Sequence, residues 1–243
     1  MKHLNLSDDL VFYTIEGEGE YVGKPSVFMR LSGCNLTCKG FASEGSPHGC
    51  DSFISWSVKN KFTFQQLNDF MVNRYMIQHL QHGAILKITG GEPLIQQVAL
   101  EEWLKEFLIR FEFIPRIDFE TNGTIKPRDF WIKAGATFTV SPKMSNNGDP
   151  EKNRYKPKVL QWHNEHGSCF KFVIKTQDDI DELFEKYISN NLIKRERVWL
   201  MPCCGNREEH NKASALVAEL CKYNYFNFSP RLQLVIWDQA LKV

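Results

Sequence analysis

The stretch from Leu31 to Trp56, LSGCNLTCKGFASEGSPHGCDSFISW, constrains the chain most, because it holds three of the seven cysteines directly after an apolar segment. That segment, Ser26 to Leu31 (SVFMRL), has the composition of a buried strand, and a Ser-Gly pair ends it. Cys34 therefore lies where a loop leaves a sheet. Thiolates at Cys34, Cys38 and Cys50 can converge on one iron–sulfur cluster and leave one iron without a protein ligand.

Other interpretations of these cysteines stay open. A structural zinc site closes with four ligands, commonly as two closely spaced pairs, and no second such pair exists because Cys203 and Cys204 are adjacent. Buried or free thiols are the second alternative. His48 lies near Cys50 and could replace it, since imidazole ligates some iron–sulfur centres.

Composition narrows the class of protein. With 243 residues and 42% hydrophobic content, the chain is long enough for a sizeable core, and a single domain is expected. Thirty basic and twenty-nine acidic residues give a net charge of +1 without a long Lys/Arg run, which disfavours nucleic-acid binding. No apolar run has the length of a signal peptide or a membrane helix. We expect a cytoplasmic protein with a small-molecule substrate, and the seven cysteines suit a reducing compartment.

Apolar runs alternate with segments of helical spacing along the chain. After the cysteine loop, strands are predicted at Ala84 to Thr89, Arg116 to Glu120, Ala136 to Val140, Cys169 to Ile174, Arg197 to Met201 and Leu232 to Trp237. Helices are predicted over Thr63 to Gln81, Gln96 to Phe111, Asp178 to Asn190 and Asn211 to Tyr223, and a surface loop over Met144 to Pro157. The alternation predicts an α/β fold with parallel strands, a partial (β/α)₆ barrel with its site at the carboxyl ends of the strands.

The motifs resemble the radical S-adenosylmethionine (SAM) superfamily. Its usual cluster motif is C-x₃-C-x₂-C, whereas here GCNLTC is followed by CDS only after the eleven residues Lys39 to Gly49, and then by TGGEP at Thr89 to Pro93. Lengthening a flexible loop from two to eleven residues costs about 1.5 kcal/mol, which cluster ligation can offset. The resemblance implies one TIM-like radical SAM domain over residues 1–243, with an enlarged cluster loop at 39–49.

Within that superfamily the chain is similar to the 7-carboxy-7-deazaguanine synthase family. The similarity rests on YTIEGEG, on Arg30 in FMRL, on ETNGT, on SPK at Ser141 to Lys143, and on the closing segment up to Val243. The family pattern is usually IQGEG. Glu16 therefore replaces an amide, which donates and accepts, with a carboxylate that normally only accepts.

The resemblance implies three sets of site residues. A [4Fe–4S] cluster is expected on Cys34, Cys38 and Cys50, and Mg²⁺ on Ser52. SAM contacts are expected from Gly49, Asp51, Gly90, Gly91, Glu92, Ser141, Lys143, Thr176 and Gln177. Substrate contacts are expected from Ile15, Glu16, Gly17, Glu18, Arg30, Thr89, Gln233 and the terminal carboxylate of Val243.

The activity implied by the resemblance is ring contraction of 6-carboxy-5,6,7,8-tetrahydropterin to 7-carboxy-7-deazaguanine with loss of ammonia, a step toward queuosine. An electron donor such as flavodoxin would be needed, and a homodimer is compatible with it. Two other functions are considered. A radical SAM activase would act on a protein partner and would not need YTIEGEG. A non-catalytic descendant of the fold is suggested by Glu16, Gln233 and the enlarged loop, and cluster content would distinguish it.

Overall fold

A computed structural model of the chain describes residues 2–44 and 46–240. Within those residues nine strands form one sheet, in the order β3-β1-β2-β4-β5-β6-β7-β8-β9. The strands are β1 (His3–Ile15), β2 (Pro25–Leu31), β3 (Asn60–Thr63), β4 (Ile85–Gly90), β5 (Ile117–Thr121), β6 (Thr137–Val140), β7 (Cys169–Ile174), β8 (Val198–Pro202) and β9 (Asn227–Phe228).

Helices connect the strands. They are α1 (Phe53–Ser57), α2 (Phe64–Asn73), α3 (Met76–Gln81), α4 (Gln97–Phe111), α5 (Asp129–Lys133), α6 (Glu151–Arg154), α7 (Pro157–Glu165), α8 (Gln177–Leu183), α9 (Arg207–Asn224) and α10 (Leu232–Trp237). A π-helical turn, Phe184–Ile188, continues α8. Short 3₁₀ turns lie at Gly19–Tyr21, Lys39–Phe41, Pro93–Gln96, Ser145–Asn147 and Arg195–Arg197. No helix in the described part of the chain has both the length and the apolarity to cross a membrane.

The predicted partial barrel is confirmed. Strands β2, β4, β5, β6, β7 and β8 pair in parallel in that order, and helices lie in the connections, as crossovers between parallel strands require. Strand β1 is antiparallel to both of its neighbours, β2 and β3. Strands β3 and β9 form the two edges of the described sheet, so the barrel is open.

Helix α4 illustrates why the sequence folds in this way. Its apolar residues Leu100, Trp103, Leu104 and Phe107 follow the i, i+3, i+4, i+7 spacing of one helical face, and all four are buried. Strands β4 and β7 are buried at most of their residues, as strands covered on both faces should be. The few charged residues inside these strands are therefore unusual, and they lie at the candidate site.

The prediction of a final strand over Leu232 to Trp237 is wrong, because these residues form α10. The sheet edge that such a strand would have used is taken by β9, which pairs with β8. Without a strand partner, the segment satisfies its backbone internally as a helix. Only Leu234 of this helix is buried, while Val235 and Ile236 remain exposed despite their β-branched side chains.

Two further boundaries differ from the predictions. The helix predicted over Thr63 to Gln81 is interrupted at Tyr75, whose φ of 61° is left-handed and ends the α-helical hydrogen bonding. The predicted surface loop over Met144 to Pro157 contains helical turns and three buried side chains, Met144, Asn147 and Arg154. It is not a solvated loop, because it packs against the cysteine loop.

Candidate functional site

A cavity of about 460 Å³ opens at the carboxyl ends of the parallel strands. A smaller cavity of about 100 Å³ adjoins it and shares part of its lining, including Cys38, Cys50, Ser141 and Lys143. The larger volume lies in the range of small-molecule sites. Ligand sites of open α/β sheets are expected at this end of the strands.

Most of the predicted site residues line the larger cavity, namely Ile15, Glu16, Gly17, Glu18, Arg30, Cys34, Cys38, Cys50, Asp51, Ser52, Thr89, Gly90, Gly91, Ser141, Lys143 and Gln233. Gly49 lines the smaller one. Three predicted residues line neither cavity. Glu92 is buried, whereas Thr176 and Gln177 are exposed at the start of α8. Val243 lies outside the described residues.

The three cysteines of the loop line one wall of the larger cavity as free thiols. His48 does not line it, because its exposed ring stacks on Phe53 with centroids 5.0 Å apart. Among the described residues, no three His, Cys, Asp or Glu side chains are placed to hold a single metal ion. A four-iron cluster binds each thiolate to a different iron, so it does not need such close convergence. Burial raises the pKa of the Cys50 thiol to about 12, so a bound metal must displace its proton.

Residues 146–149 hold the first half of the cysteine loop. The Asp149 carboxylate accepts hydrogen bonds from the backbone N–H groups of Thr37 at 3.0 Å and Cys38 at 2.9 Å. Asn147 donates to the same carboxylate at 2.8 Å and to Cys38 Sγ at 3.6 Å. Gly40 packs so closely here that an added Cβ would lie 2.2 Å from the Asn146 carbonyl oxygen. These contacts fix the backbone at Cys38, which is left-handed at φ 53°.

The TGGEP turn is bonded to the beginning of the cysteine loop. Gly91 N–H donates to the Leu31 carbonyl at 3.1 Å, and Glu92 N–H donates to the Gly33 carbonyl at 2.9 Å. An added Cβ on Gly90 or Gly91 would lie 2.0 Å from those same carbonyl oxygens, so both glycines allow this close approach.

Glu92 joins this turn to the ETNGT turn. Its carboxylate accepts from Thr121 Oγ1 at 2.8 Å and from the backbone N–H groups of Asn122 at 2.7 Å and Leu94 at 3.0 Å. Burial raises the pKa of Glu92 to about 7 against the effect of these donors. The carboxyl therefore lies behind the cavity wall and orders the two turns that form it.

The SPK segment presents a cation to the cavity. Lys143 Nζ donates to Ser141 Oγ at 2.7 Å, and both residues line the two cavities. The Ser141 N–H donates to the Thr121 carbonyl at 2.7 Å. This bond extends the pairing of β5 and β6 by one residue into the SPK segment. A lysine held in this way can pair with an anionic group of a ligand.

Glu16 belongs to a buried triad with Lys87 and Asp118, which we call the interior triad. Lys87 Nζ lies 2.8 Å from Glu16 Oε2 and 2.7 Å from Asp118 Oδ2, and all three side chains are at most 5% exposed. The other Glu16 oxygen accepts the Glu18 N–H at 3.1 Å. Burial raises the pKa of Glu16, while Lys87 opposes that shift. Burial alone would lower the pKa of Lys87, but Asp118 and Glu16 raise it well above its usual value.

Glu18 lies at the centre of a second group of charges. It pairs with Lys171, with Arg231 at 2.9 Å, and accepts from Gln233 at 2.7 Å. Lys171 also lies 2.5 Å from Glu120. Burial would raise the pKa of Glu18, but the neighbouring cations hold it well below its usual range. The Glu18 carboxylate is therefore ionised at neutral pH.

Arg231 connects these groups to the cysteine loop. Its guanidinium bonds Glu18, the Cys204 carbonyl and Asp51, the last at 2.5 Å. Asp51 follows Cys50 directly, and Ser52 Oγ donates to Asp51 at 3.2 Å. One planar side chain thus fixes the acidic turn and the end of the cysteine loop relative to each other.

Sequence reasoning missed Lys87, Lys171, Arg231, Asn147 and Asp149. Two of them carried a signal, because Lys87 in ILKITG and Lys171 in CFKFVI are the charged residues of strands that are otherwise uncharged. A lysine in a buried strand requires an anionic partner. The other three lie outside the strands and the α-helices, where no local pattern distinguishes them from solvated residues.

An open parallel barrel with three free cysteines beside a small-molecule cavity fits an iron–sulfur enzyme of the radical SAM class. Residues 15–124 match a family model described as a 4Fe-4S single cluster domain. The crystal structure of QueE from Escherichia coli has a similar fold, with a TM-score of 0.63 at 20% identity and 93% coverage of both chains.

Two relatives extend the similarity over nearly the whole chain. The 7-carboxy-7-deazaguanine synthase of Hyperthermus butylicus is 30% identical over 93% of this chain and 90% of its own length. The enzyme of the same name from Pyrobaculum aerophilum is 29% identical over 95% and 94% of the two chains. The chain belongs to the 7-carboxy-7-deazaguanine synthase family.

Proposed function

We propose that this chain contracts the ring of 6-carboxy-5,6,7,8-tetrahydropterin to 7-carboxy-7-deazaguanine with loss of ammonia, using a [4Fe–4S] cluster and SAM. One observation carries the proposal: the three cysteines and the charged residues Glu18 and Arg30 line a single cavity. Family membership gives the reaction, and this arrangement gives residues that fit its participants.

Cys34, Cys38 and Cys50 would hold the cluster, and Ser141 and Lys143 would contact SAM. Bound together, the cluster and SAM would supply one-electron reductive and radical chemistry at the substrate. The protein orients the reacting groups and excludes water from them. The TGGEP and ETNGT turns, ordered by Glu92, form the wall against which this occurs.

The substrate side needs a cation for the pterin carboxylate and acceptors for the pterin N–H groups. Arg30 supplies the cation, and its guanidinium lies 5.3 Å from the centre of the Phe12 ring, which keeps it within the cavity. The amide oxygen of Gln233 is buried and accepts no hydrogen bond within the described residues, so it is available to a pterin N–H. Glu18 is ionised and can accept a further hydrogen bond.

Magnesium, the reductant and the cellular setting belong to the same proposal. Ser52 and Asp51 present oxygens at the cavity, the ligand type that Mg²⁺ prefers. The donor would be a reductant such as flavodoxin, and we propose that residues 1–243 act as one domain, in a homodimer. All seven cysteines are free, which fits the reducing cytoplasm.

The experiment is anaerobic conversion of 6-carboxytetrahydropterin by the reconstituted chain, with mass spectrometry for 7-carboxy-7-deazaguanine and 5′-deoxyadenosine. Arg30→Ala should lower kcat/KM by at least about tenfold, because the buried substrate carboxylate loses its partner. Arg110→Ala is the control, since Arg110 pairs with Asp69 on the surface. SAM cleavage by wild type without the deazapurine product would refute the substrate assignment.

A further inference from the structure

Each of the three cysteine sulfurs at the cavity has an N–H donor directed at it. The backbone N–H of Leu36 lies 3.5 Å from Cys34 Sγ. The Asn147 amide lies 3.6 Å from Cys38 Sγ. The indole Nε1 of Trp56 lies 3.4 Å from Cys50 Sγ. A second and longer contact reaches Cys34 Sγ from the Asn122 amide at 4.0 Å. Cys38 and Cys50 each have a side-chain donor, Asn147 and Trp56.

The Trp56 indole is held in its orientation by its surroundings. The backbone carbonyl of Trp56 accepts the Gly33 N–H at 3.0 Å, and the backbone N–H of Trp56 donates to the Ser52 carbonyl at 3.0 Å. Phe53 packs edge-on against the indole at 5.2 Å. The backbone of Trp56 is therefore bonded to both ends of the cysteine loop, at Gly33 and at Ser52. The indole N–H has a defined direction as a result.

Asn147 is equally restrained. It is fully buried, its amide oxygen accepts the Asp149 N–H at 2.9 Å, and its amide nitrogen also donates to the Asp149 carboxylate at 2.8 Å. These bonds fix which end of the amide faces Cys38. A buried amide with this geometry is a preorganised donor rather than a packing residue.

We propose that Trp56 and Asn147 are positioning residues that set the reduction potential of the cluster through N–H···S hydrogen bonds to Cys50 and Cys38. This inference rests on the cluster assignment of the proposed function. Hydrogen bonds to the sulfurs are one of the features that set cluster potentials. A donor stabilises negative charge on sulfur, and reduction adds one negative charge. Both donors therefore favour the reduced state and raise the potential.

The test compares Trp56→Phe with wild type in the anaerobically reconstituted full chain. Iron content is measured first, and the midpoint potential is then determined by redox titration followed with electron paramagnetic resonance. Trp56→Phe should keep its iron and have a lower midpoint potential. Asn147→Ala should shift the potential in the same direction. Full iron content with the wild-type potential in both variants would overturn the inference.

Trp131→Phe is the matched control. Trp131 is also buried, but its indole N–H has no hydrogen-bond partner among the described residues and it lines neither cavity. The same loss of indole at this position should leave the potential unchanged. An equal shift in the control would mean that core packing, and not the N–H···S bond, moves the potential.

A second measurement does not depend on the variants retaining their cluster. Wild type containing ¹⁵N-indole tryptophan should show a hyperfine coupling between the reduced cluster and an indole nitrogen by pulsed electron paramagnetic resonance. The coupling should persist in Trp237→Phe, which removes the other tryptophan lining the larger cavity. Absence of coupling in a protein with full iron overturns the inference alone, whereas a chain that binds no cluster overturns the proposed function with it.

Discussion

Replacing Lys87 with methionine should destabilise the fold, because two buried carboxylates lose the lysine that pairs with them. Lys87 is 2% exposed and lies 2.8 Å from Glu16 and 2.7 Å from Asp118. Methionine preserves most of the side-chain length but removes the only cation shared by these two carboxylates within the interior triad. Removing one partner of a buried ion pair costs about 3–5 kcal/mol, because the remaining charge is left uncompensated.

The cost should fall mainly on Glu16. Asp118 keeps hydrogen bonds from Thr137 at 2.8 Å and Thr139 at 3.0 Å, whereas Glu16 keeps only the Glu18 N–H at 3.1 Å among the bonds described. Adding Glu16→Gln to Lys87→Met should therefore recover about 2 kcal/mol or more, since a neutral amide can still accept that N–H. Glu16→Gln alone should change stability by less than about 1 kcal/mol, because Lys87 stays paired with Asp118.

The assay is chemical denaturation of the four proteins under identical anaerobic conditions, comparing midpoints at constant m-value. Lys105→Met is the control, because Lys105 pairs with Glu101 on the surface and exposed pairs contribute about 0–1 kcal/mol. The reasoning is refuted if Lys87→Met costs no more than the control, or if the double variant is no more stable than Lys87→Met.

The same variant gives a prediction for pH. Without Lys87, burial should hold the folded pKa of Glu16 even further above its ordinary 4.5. A carboxyl with a raised folded pKa destabilises the fold once the unfolded form ionises. The difference in the free energy of unfolding between wild type and Lys87→Met should therefore be largest at neutral pH and shrink as the pH falls toward 4.5. A difference that grows on acidification would contradict the assignment to Glu16.

Three further predictions concern other contacts. Asp149→Asn should weaken iron retention about 10–100-fold, measured as iron left after gel filtration with a chelator, because the carboxylate that holds the loop at Cys38 is lost. Arg231→Lys should lower kcat/KM for the pterin about tenfold while SAM cleavage continues, because an ammonium cannot bond Glu18 and Asp51 as a fork. The raised folded pKa of Glu92, about 7, means that its favourable contribution is complete below pH 4.5 and is lost as the pH rises to 7. Glu92→Gln should flatten that part of the pH–stability profile, and an unchanged profile would exclude Glu92 as its source.

Local patterns predicted the parts of the site that depend on local chemistry. The cysteine loop, TGGEP and SPK each follow a strand directly, so identifying the strand was enough to place them at one end of the sheet. The closing segment shows where this reasoning fails. VIW has strand-like composition, but strand formation requires a free edge, and Asn227–Phe228 already occupies the edge of β8. Which segment pairs with the edge strand is determined by the whole fold and not by the local sequence.

Register explains why the interior triad could not be predicted. Lys87 lies opposite Asp118 in the parallel pairing of β4 and β5, and a shift of one residue would send the lysine to the other face of the sheet. Nothing within either strand specifies that alignment. It is set by the apolar residues on both sides, which must all be buried at once. Glu16 then reaches Lys87 from the turn after β1, whose position depends on a third strand pairing.

The presence of Glu16 where the family usually has an amide is therefore tied to Lys87, which lies far from it in the sequence. Taken alone, a carboxylate at this place in the cavity would repel a carboxylated substrate and bear a desolvation cost. Paired with Lys87, it contributes no unbalanced charge to the cavity, and its second oxygen orders the turn by accepting the Glu18 N–H. Glu18, and not Glu16, is then the ionised acceptor with room for a ligand. Glu18→Gln should accordingly impair pterin turnover far more than Glu16→Gln, although both remove one carboxylate from the same turn, and equal effects in the conversion assay would refute this division of roles.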